Sequence, residues 1–446
     1  MNKKCIACAV AVLLVPGTIF AEGSKRWTLD ECVRYALDHN IALRKTVVAR
    51  QSAMEDVRQA KSNLLPSVSA STSHAAGYRP WVNDGISTVT NGTVATSVNK
   101  SYYNGSYGIN ANWTVWNGNQ NRNTIKVNKL SEQQAQLDSA ITANSIQEQI
   151  AQLYMQILYL SEAVTVSQQS WKTSQLNEER GKEMVAVGKM SKADLAQLSA
   201  QTAQDYYQIV ENQSSLASYM LQLKQLLEIT DGETFEVETP NISDDTVLSA
   251  IPSLHDTYQS ALAKRPEIER QHLAIKSSDV NLSIAKAGNL PTLSVNGSVG
   301  TSTSSMSDRT WGRQIKTNFD ATAGLTLSIP IFDQRKTKTA VSKAKLQKLD
   351  SELDLLDEQK KLFSTIEGFW LDATTNQQKF KAARMGVESE EASYALLSEQ
   401  FRLGLKNIIE LMTGKNNLLQ ARLSKLQSKY MTLLNVRLLE FYHDGK

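Results

Sequence analysis

Five histidines, at positions 39, 74, 255, 272 and 443, are the first places to look for a metal or a proton carrier, and none falls at ligand spacing from another. The cysteines are Cys5, Cys8 and Cys32, and only Cys32 lies beyond the N-terminal apolar run, so an intramolecular disulfide in the processed chain is not expected. Gly188-Lys189 and Gly414-Lys415 lack the glycine spacing and the following Ser or Thr of a phosphate loop, and neither a nucleophile elbow nor a dinucleotide fingerprint occurs. No catalytic residue, no metal and no cofactor are expected. Two carboxylates stand out by position instead: Asp194 lies three residues after Ser191, and Glu410 three after Asn407. That is the spacing of a helix capping box, and a glycine, Gly188 or Gly404, precedes each cap. Antiparallel helices joined by a left-handed glycine would place both pairs at hairpin turns.

The elements that hold these turns follow from what the chain lacks. Its 446 residues contain only 8 prolines, at 16, 66, 80, 240, 252, 266, 291 and 330, so residues 81–239 and 331–446 are free of the strongest helix breaker. Ile146, Ile150, Leu153, Ile157, Leu160 and Val164 step at coiled-coil spacing, as do Leu346, Leu349, Leu353 and Leu356, on faces otherwise filled by Ala, Gln, Ser, Asn and charge. With 48 Lys+Arg against 45 Asp+Glu the net charge is +3, which gives no reason to expect a nucleic-acid partner. Residues 1–21, with Lys3 and Lys4 before an uncharged stretch ending at Ala21, read as a cleaved signal peptide; an uncleaved anchor is the alternative, with an apolar run short for a span.

The chain is internally duplicated. One constant offset carries Ala36-Leu37 onto Ala261-Leu262 and Leu65-Pro66 onto Leu290-Pro291; a shorter one carries Trp116-Asn117 onto Phe332-Asp333, Gly188 onto Gly404 and Asp194 onto Glu410. The domains read as a first repeat at 22–229 (helix, strands at about 66–79 and 107–116, helical hairpin 119–229), an equatorial linker at 230–254, and a second repeat at 255–440. The second repeat has strands at about 292–303 and 319–331 and a hairpin at 334–440, and 441–446 is left as a C-terminal tail. At about 1.5 Å per residue the outgoing helices are about 103 and 105 Å long, and each is matched to within about 6 Å by a return helix plus the opening helix of its half, 30–63 or 255–289. This balance predicts a cylinder of long helices beside stacked short ones, with a belt at mid-height.

Apolar residues alternate with Ser, Asn, Thr and Gly along the strands, and aromatics cluster near their ends. Strands of this length with one apolar face fit tilted membrane strands with Trp113, Val115, Leu325, Leu327 and Ile329 toward lipid; a soluble sheet on a core gives the same alternation. Four membrane strands cannot close a barrel, and hydrocarbon does not tolerate an open edge. Copies of the chain must then share one barrel, with a dimer, trimer or tetramer all allowed by counting.

The duplicated Ala-Leu openings, the paired Leu-Pro stops, Leu327-Ser328-Ile329-Pro330-Ile331-Phe332-Asp333 and the two tips, 187–195 and 401–411, resemble the TolC-like outer membrane factor family of Gram-negative efflux and type I secretion systems. The resemblance implies a mixed architecture: four strands per chain in a shared 12-stranded outer membrane barrel of a homotrimer, with helical hairpins forming a periplasmic tunnel. It also implies a passive conduit, not an enzyme, whose tips (Val187, Gly188, Lys189, Ser191, Leu403, Gly404, Leu405 and Asn407) contact a periplasmic adaptor beneath an inner membrane transporter of the RND or ABC type. Family acids after the second tip can ring the closed aperture; that gate role carries to Glu410, with Asp194 its counterpart in the first repeat, while the position one turn on is Thr413 and not an acid. A plain solvated glutamate is the other reading of Glu410. A periplasmic coiled-coil or adhesin-like protein without transport remains the alternative function, and drugs, metal ions and polypeptides are all compatible as substrates.

Overall fold

The structure, a computed structural model, describes residues 26–81, 85–89, 92–96, 100–230, 235–240 and 242–444. The expected signal peptide and the Asp231-Gly232 part of the linker lie outside the described residues. The first half runs β1 (Arg26–Trp27), α1 (Leu29–His39), α2 (Ile41–Ser62), β2 (Ser67–Tyr78), β3 (Gly85–Val89), β4 (Gly92–Thr96), β5 (Ser101–Trp116), α3 (Gln120–Ala186) and α4 (Lys192–Leu226). The linker holds β6 (Glu236–Val237) and α5 (Asp244–Val247). The second half runs α6 (Leu254–Lys264), α7 (Pro266–Lys286), β7 (Thr292–Ser304), α8 (Trp311–Thr317), β8 (Asp320–Ser328), α9 (Lys336–Arg402) and α10 (Ile408–Asp444). The chain divides into two compact units, one of Met1–His39, Gln147–Ser249 and Asn376–Leu434, the other of Asn40–Ile146, Ala250–Thr375 and Asn435–Lys446.

The opening helices expected at 30–63 and 255–289 are each broken in two, at positions the repeat places in register, Asn40 and Arg265. Asn40 is extended (φ −62°, ψ 128°) and its side-chain oxygen accepts from the Ala42 and Leu43 amides, capping α2. Arg265 reaches the same conformation (φ −72°, ψ 130°) without a side-chain cap, because the ring of Pro266 disfavours a helical residue before it and supplies the first position of α7.

In the second unit β2, β5, β7 and β8 form one antiparallel sheet in that order. Cross-strand partners share a face, so Ala70, Ile109, Val299 and Ala321 stand in one row, and Ser69, Asn110, Ser298 and Thr322 in the next on the opposite face. Among the described residues β2 and β8 are the edges. The strands depart from the alternation in three places. β5 begins at Ser101, since residues 101–106 pair with 73–78 of β2 although Tyr102 and Tyr103 put aromatics on both faces. β8 ends at Ser328, opposite Thr292; one step on the register would set Ile329 against Pro291, two steps on Pro330 against Leu290, and neither proline has an amide to donate. β3 and β4 pair separately as an antiparallel hairpin.

Strand passes into long helix by the same device in both halves. Gly118 and Asn119 have φ of 66° and 67°, and their counterparts Gln334 and Arg335 have 54° and 68°. The residue before each pair caps the helix from its side chain: Asn117 Oδ1 accepts from the Asn121 amide at 3.2 Å, and Asp333 Oδ2 from the Thr337 amide at 2.7 Å. These bonds hold the Asp333 carboxyl below its ordinary range, with the Thr337 hydroxyl and amide the main causes.

Of the residues read as a tail, 441–444 are described, and they continue α10. α10 runs on to Asp444, and Tyr442 is buried with Ala261, Ile268, Leu362, Ile366, Ala373 and Leu439. Arg265 lies 4.0 Å over the Tyr442 ring and pairs with Glu267 at 3.1 Å, so its charge is met by a carboxylate and an aromatic face. In the first unit Tyr154 of α3 donates to the Glu238 carbonyl at 2.8 Å beside the parallel β1–β6 ribbon, and burial there pushes its phenol up to about 12. Cys32 is buried nearby with its thiol also raised to about 12, which makes it a packing residue and not a nucleophile.

Candidate functional site

The two hairpin turns fold alike. Both α3 and α9 end in a Schellman motif: the Lys189 amide donates to the Met184 carbonyl at 2.8 Å and the Gly188 amide to Val185 at 3.0 Å, and Leu405 and Gly404 repeat this onto Gln400 and Phe401, each at 2.9 Å. Gly188 and Gly404 supply the left-handed residue at φ of 73° and 76°. Three residues on, Ser191 Oγ accepts from the Asp194 amide at 3.0 Å, and Asn407 Oδ1 from the Glu410 amide at 2.9 Å. Only the second turn closes the reciprocal box, with the Asn407 amide donating to Glu410 Oε2 at 3.2 Å; in the first, Asp194 Oδ2 accepts from the Ser191 hydroxyl at 2.8 Å.

The structure brings the tips together on one apolar knot of Leu198, Phe401, Ile408 and Leu411, with Met184, Met190, Tyr394 and Met412 packed around it. Val187, Leu403, Leu405 and Ile409 remain exposed at the ends of the hairpins. Among the described residues, no hydrogen bond or ion pair joins Asp194 to Glu410; each serves its own turn. Glu410 has a partner that the sequence reading missed, Lys406, whose Nζ donates to Oε1 at 2.6 Å. Lys406 first and the Asn407 amide second hold the carboxyl below its ordinary range. The i,i+4 spacing of the two residues was the available signal.

About two turns beyond the second tip lies a polar cluster with no motif to announce it. Lys415 of α10 reaches Ser174 of α3 at 2.6 Å and Asp205 of α4, and Asp205 also accepts from Ser174 Oγ at 2.5 Å and from Gln201 Nε2 at 2.8 Å. Lys415 and Asp205 are both buried, and desolvation pushes the ammonium below its ordinary range against the pull of Asp205.

The strand residues divide. Trp113, Leu325 and Leu327 lie on one face, where Leu325 is 70% and Leu327 60% exposed, and the Trp113 indole donates to the Leu64 carbonyl at 2.8 Å. Val115 does not continue their row: it is the extra residue of a β-bulge between Thr114 and Trp116, and Trp116 takes the place opposite Leu293. Ile329 lies beyond the last residue of β8.

Residues 33–228 and 257–441 match the family model described as outer membrane efflux protein. The chain belongs to the outer membrane efflux protein family. Among its relatives is the outer membrane efflux protein BepC of Brucella suis, 21% identical over 439 residues that cover 96% of this chain and 88% of BepC. TolC of Escherichia coli is 20% identical over 434 residues, 93% of this chain and 82% of TolC. The fold is that of the Campylobacter jejuni CmeC outer membrane channel, with a TM-score of 0.77 at 18% identity over 94% of this chain and 86% of CmeC. Outer membrane efflux proteins reside in the Gram-negative outer membrane, and the family works with periplasmic adaptors and inner membrane transporters.

Proposed function

We propose that three copies of this chain close one 12-stranded barrel, four strands from each, and that the assembly is a passive conduit from periplasm to exterior for solutes delivered by an inner membrane transporter. The observation that carries the reading is the four-stranded sheet, open at both edges among the described residues, with Leu325, Leu327, Ile109 and Val68 exposed on one face. A lone sheet of this kind is unstable in water and forbidden in hydrocarbon. Pairing β8 of one copy with β2 of the next satisfies both edges and turns the apolar face to lipid. No chemical step is assigned to the chain; energy comes from the transporter.

The turns are the adaptor contact in this proposal, Val187, Gly188, Lys189 and Ser191 from the first and Leu403, Gly404, Leu405 and Asn407 from the second. Their support is the exposed apolar set Val187, Leu403, Leu405 and Ile409 on rigid Schellman turns. Glu410 forms the aperture ring, with Asp194 as its first-repeat counterpart at the gate, and Lys406 tempers the ring's charge.

Planar-bilayer conductance of the detergent-purified protein, with its oligomer mass, tests the reading. A trimer with small, stable conductance is expected; Glu410→Ala should lower cation preference, and Lys406→Ala should raise it by uncovering the carboxylate. A monomer without current would leave a coiled-coil structural protein as the better account. A conducting trimer indifferent to both substitutions would keep the conduit and remove the gate.

A further inference from the structure

Between β7 and β8 the chain makes a short helix, α8, that no alternation announced and that the conduit reading does not use. It is held firmly for a loop. Buried Gln314 accepts from the Ser304 amide at 2.7 Å and donates to the Arg309 carbonyl at 2.7 Å. Asn318 donates to the Ser302 carbonyl at 2.7 Å, and Thr301 to the Ile315 carbonyl at 2.8 Å. β7 overhangs β8 here, since the last pair between them is Gly300 with Asp320, so these bonds satisfy an edge that β8 has left.

The register says which side of the sheet α8 leans over. Thr301 is paired with Tyr107, and both continue the row of Val299 and Ile109 on the apolar face. Trp311, the first residue of α8, meets the Tyr107 ring edge-on at 6.3 Å. All four strand ends that join helices α2, α3, α7 and α9 lie at the other end of the sheet. With those helices in the periplasm, α8 sits on the lipid side of the barrel at its outer rim.

There it presents the chemistry of an anionic headgroup site. Arg313 and Lys316, three apart on α8, are exposed, and Arg309 lies in the turn before it. Among the described residues none of the three has an ion-pair partner. The nearby acids are Asp308 in the same turn and Asp320, which faces the polar side with Thr322. Exposed Trp311 and Phe319, at the two ends of the same segment, supply apolar and interfacial contacts.

We propose that Arg309, Arg313 and Lys316 form a docking site for the phosphates of an outer-leaflet lipid, seated on the Trp311 and Phe319 side chains. The inference rests on the reading of the sheet as a membrane barrel. Its effect is to clamp the outer rim to the leaflet by charge, where the strands alone offer only apolar contact.

Native mass spectrometry of the detergent-purified protein, titrated with bis-phosphorylated lipid A and with the same lipid stripped of phosphate, reads the site directly. The wild type should retain the phosphorylated lipid, and inorganic phosphate should not displace it. Each charge removed as Gln should weaken binding about fivefold, and Arg309→Gln/Arg313→Gln/Lys316→Gln roughly a hundredfold. Equal binding by the triple variant, equal binding of the stripped lipid, or displacement by inorganic phosphate would each overturn the site. Alkaline extraction from liposomes separates the two layers of the argument: wild type and triple variant should both resist it. A wild type that washes off would defeat the barrel reading itself, and with it the site.

Discussion

Lys415 Nζ meets the Asp205 carboxylate and the Ser174 hydroxyl inside the helical bundle, where the lysine side chain is 5% and the aspartate 4% exposed. A charge pair so placed gains little net stability over apolar residues, yet either member alone is a buried, uncompensated ion. Lys415→Met and Asp205→Leu singly should each cost about 3–5 kcal/mol, and the double substitution should recover most of that. Thermal unfolding of the four proteins of this double-mutant cycle checks it; additive losses would mean the pair is not coupled.

The second turn should respond to acid. The Glu410 carboxyl is depressed by Lys406 and by the Asn407 amide, so the folded turn favours the charged form. Its contribution is complete above the ordinary carboxylate range and is lost as pH falls through the lowered folded value. Amide protection at the start of α10, taken relative to the intrinsic exchange rate at each pH, should therefore fall on acidification below that range, and Glu410→Gln should abolish this pH dependence. Protection that is flat with pH in the wild type would show that the capping box does not depend on ionisation.

The strand-to-helix corners offer a matched comparison. Gln334 at φ 54° and Arg335 at 68° both stand where Gly is the residue without strain; in the other half Gly118 already fills the Gln334 position, and Asn119 stands at the Arg335 position. Arg335→Gly should leave stability unchanged or raise it by up to about 1 kcal/mol. Gly118→Ala should cost more than conformational strain alone, because the new Cβ would come 2.9 Å from Leu290 Cβ. Unfolding midpoints of the two single variants settle the order, and equal losses would contradict it.

What could be read from residues alone was whatever repeats or alternates. The hairpin turns carry their geometry in Gly-x-x-Ser and Gly-x-x-Asn, and the sheet faces in their period of two, so both were legible. The break at Asn40 was not, because Asn inside a helical pattern is a weak signal until its side chain is seen to accept from Ala42 and Leu43. Nor was the left-handed pair Gln334-Arg335, whose types disfavour that conformation and which the Asp333 cap holds in place. The Val115 bulge shifts register by one residue and leaves no mark in an alternation read from one strand. Lys415 and Asp205 are far apart in sequence on helices rich in exposed charge, and only packing distinguishes them from the rest.

The two faces of the sheet give the sharpest contrast for the membrane reading. Val299 and Ser298 are neighbours on β7, the first in a row with Ile109 and Ala321, the second bonded to Thr322 at 2.7 Å. A lysine near the middle of the lipid face costs about 2–4 kcal/mol, while the lumen side is wet and tolerates charge. Val299→Lys should therefore sharply reduce the yield of folded, heat-modifiable oligomer. Ser298→Lys should fold at near wild-type yield and change conductance or ion preference. Reversal of the two outcomes would mean that the apolar face packs on protein, and the barrel would have to be given up.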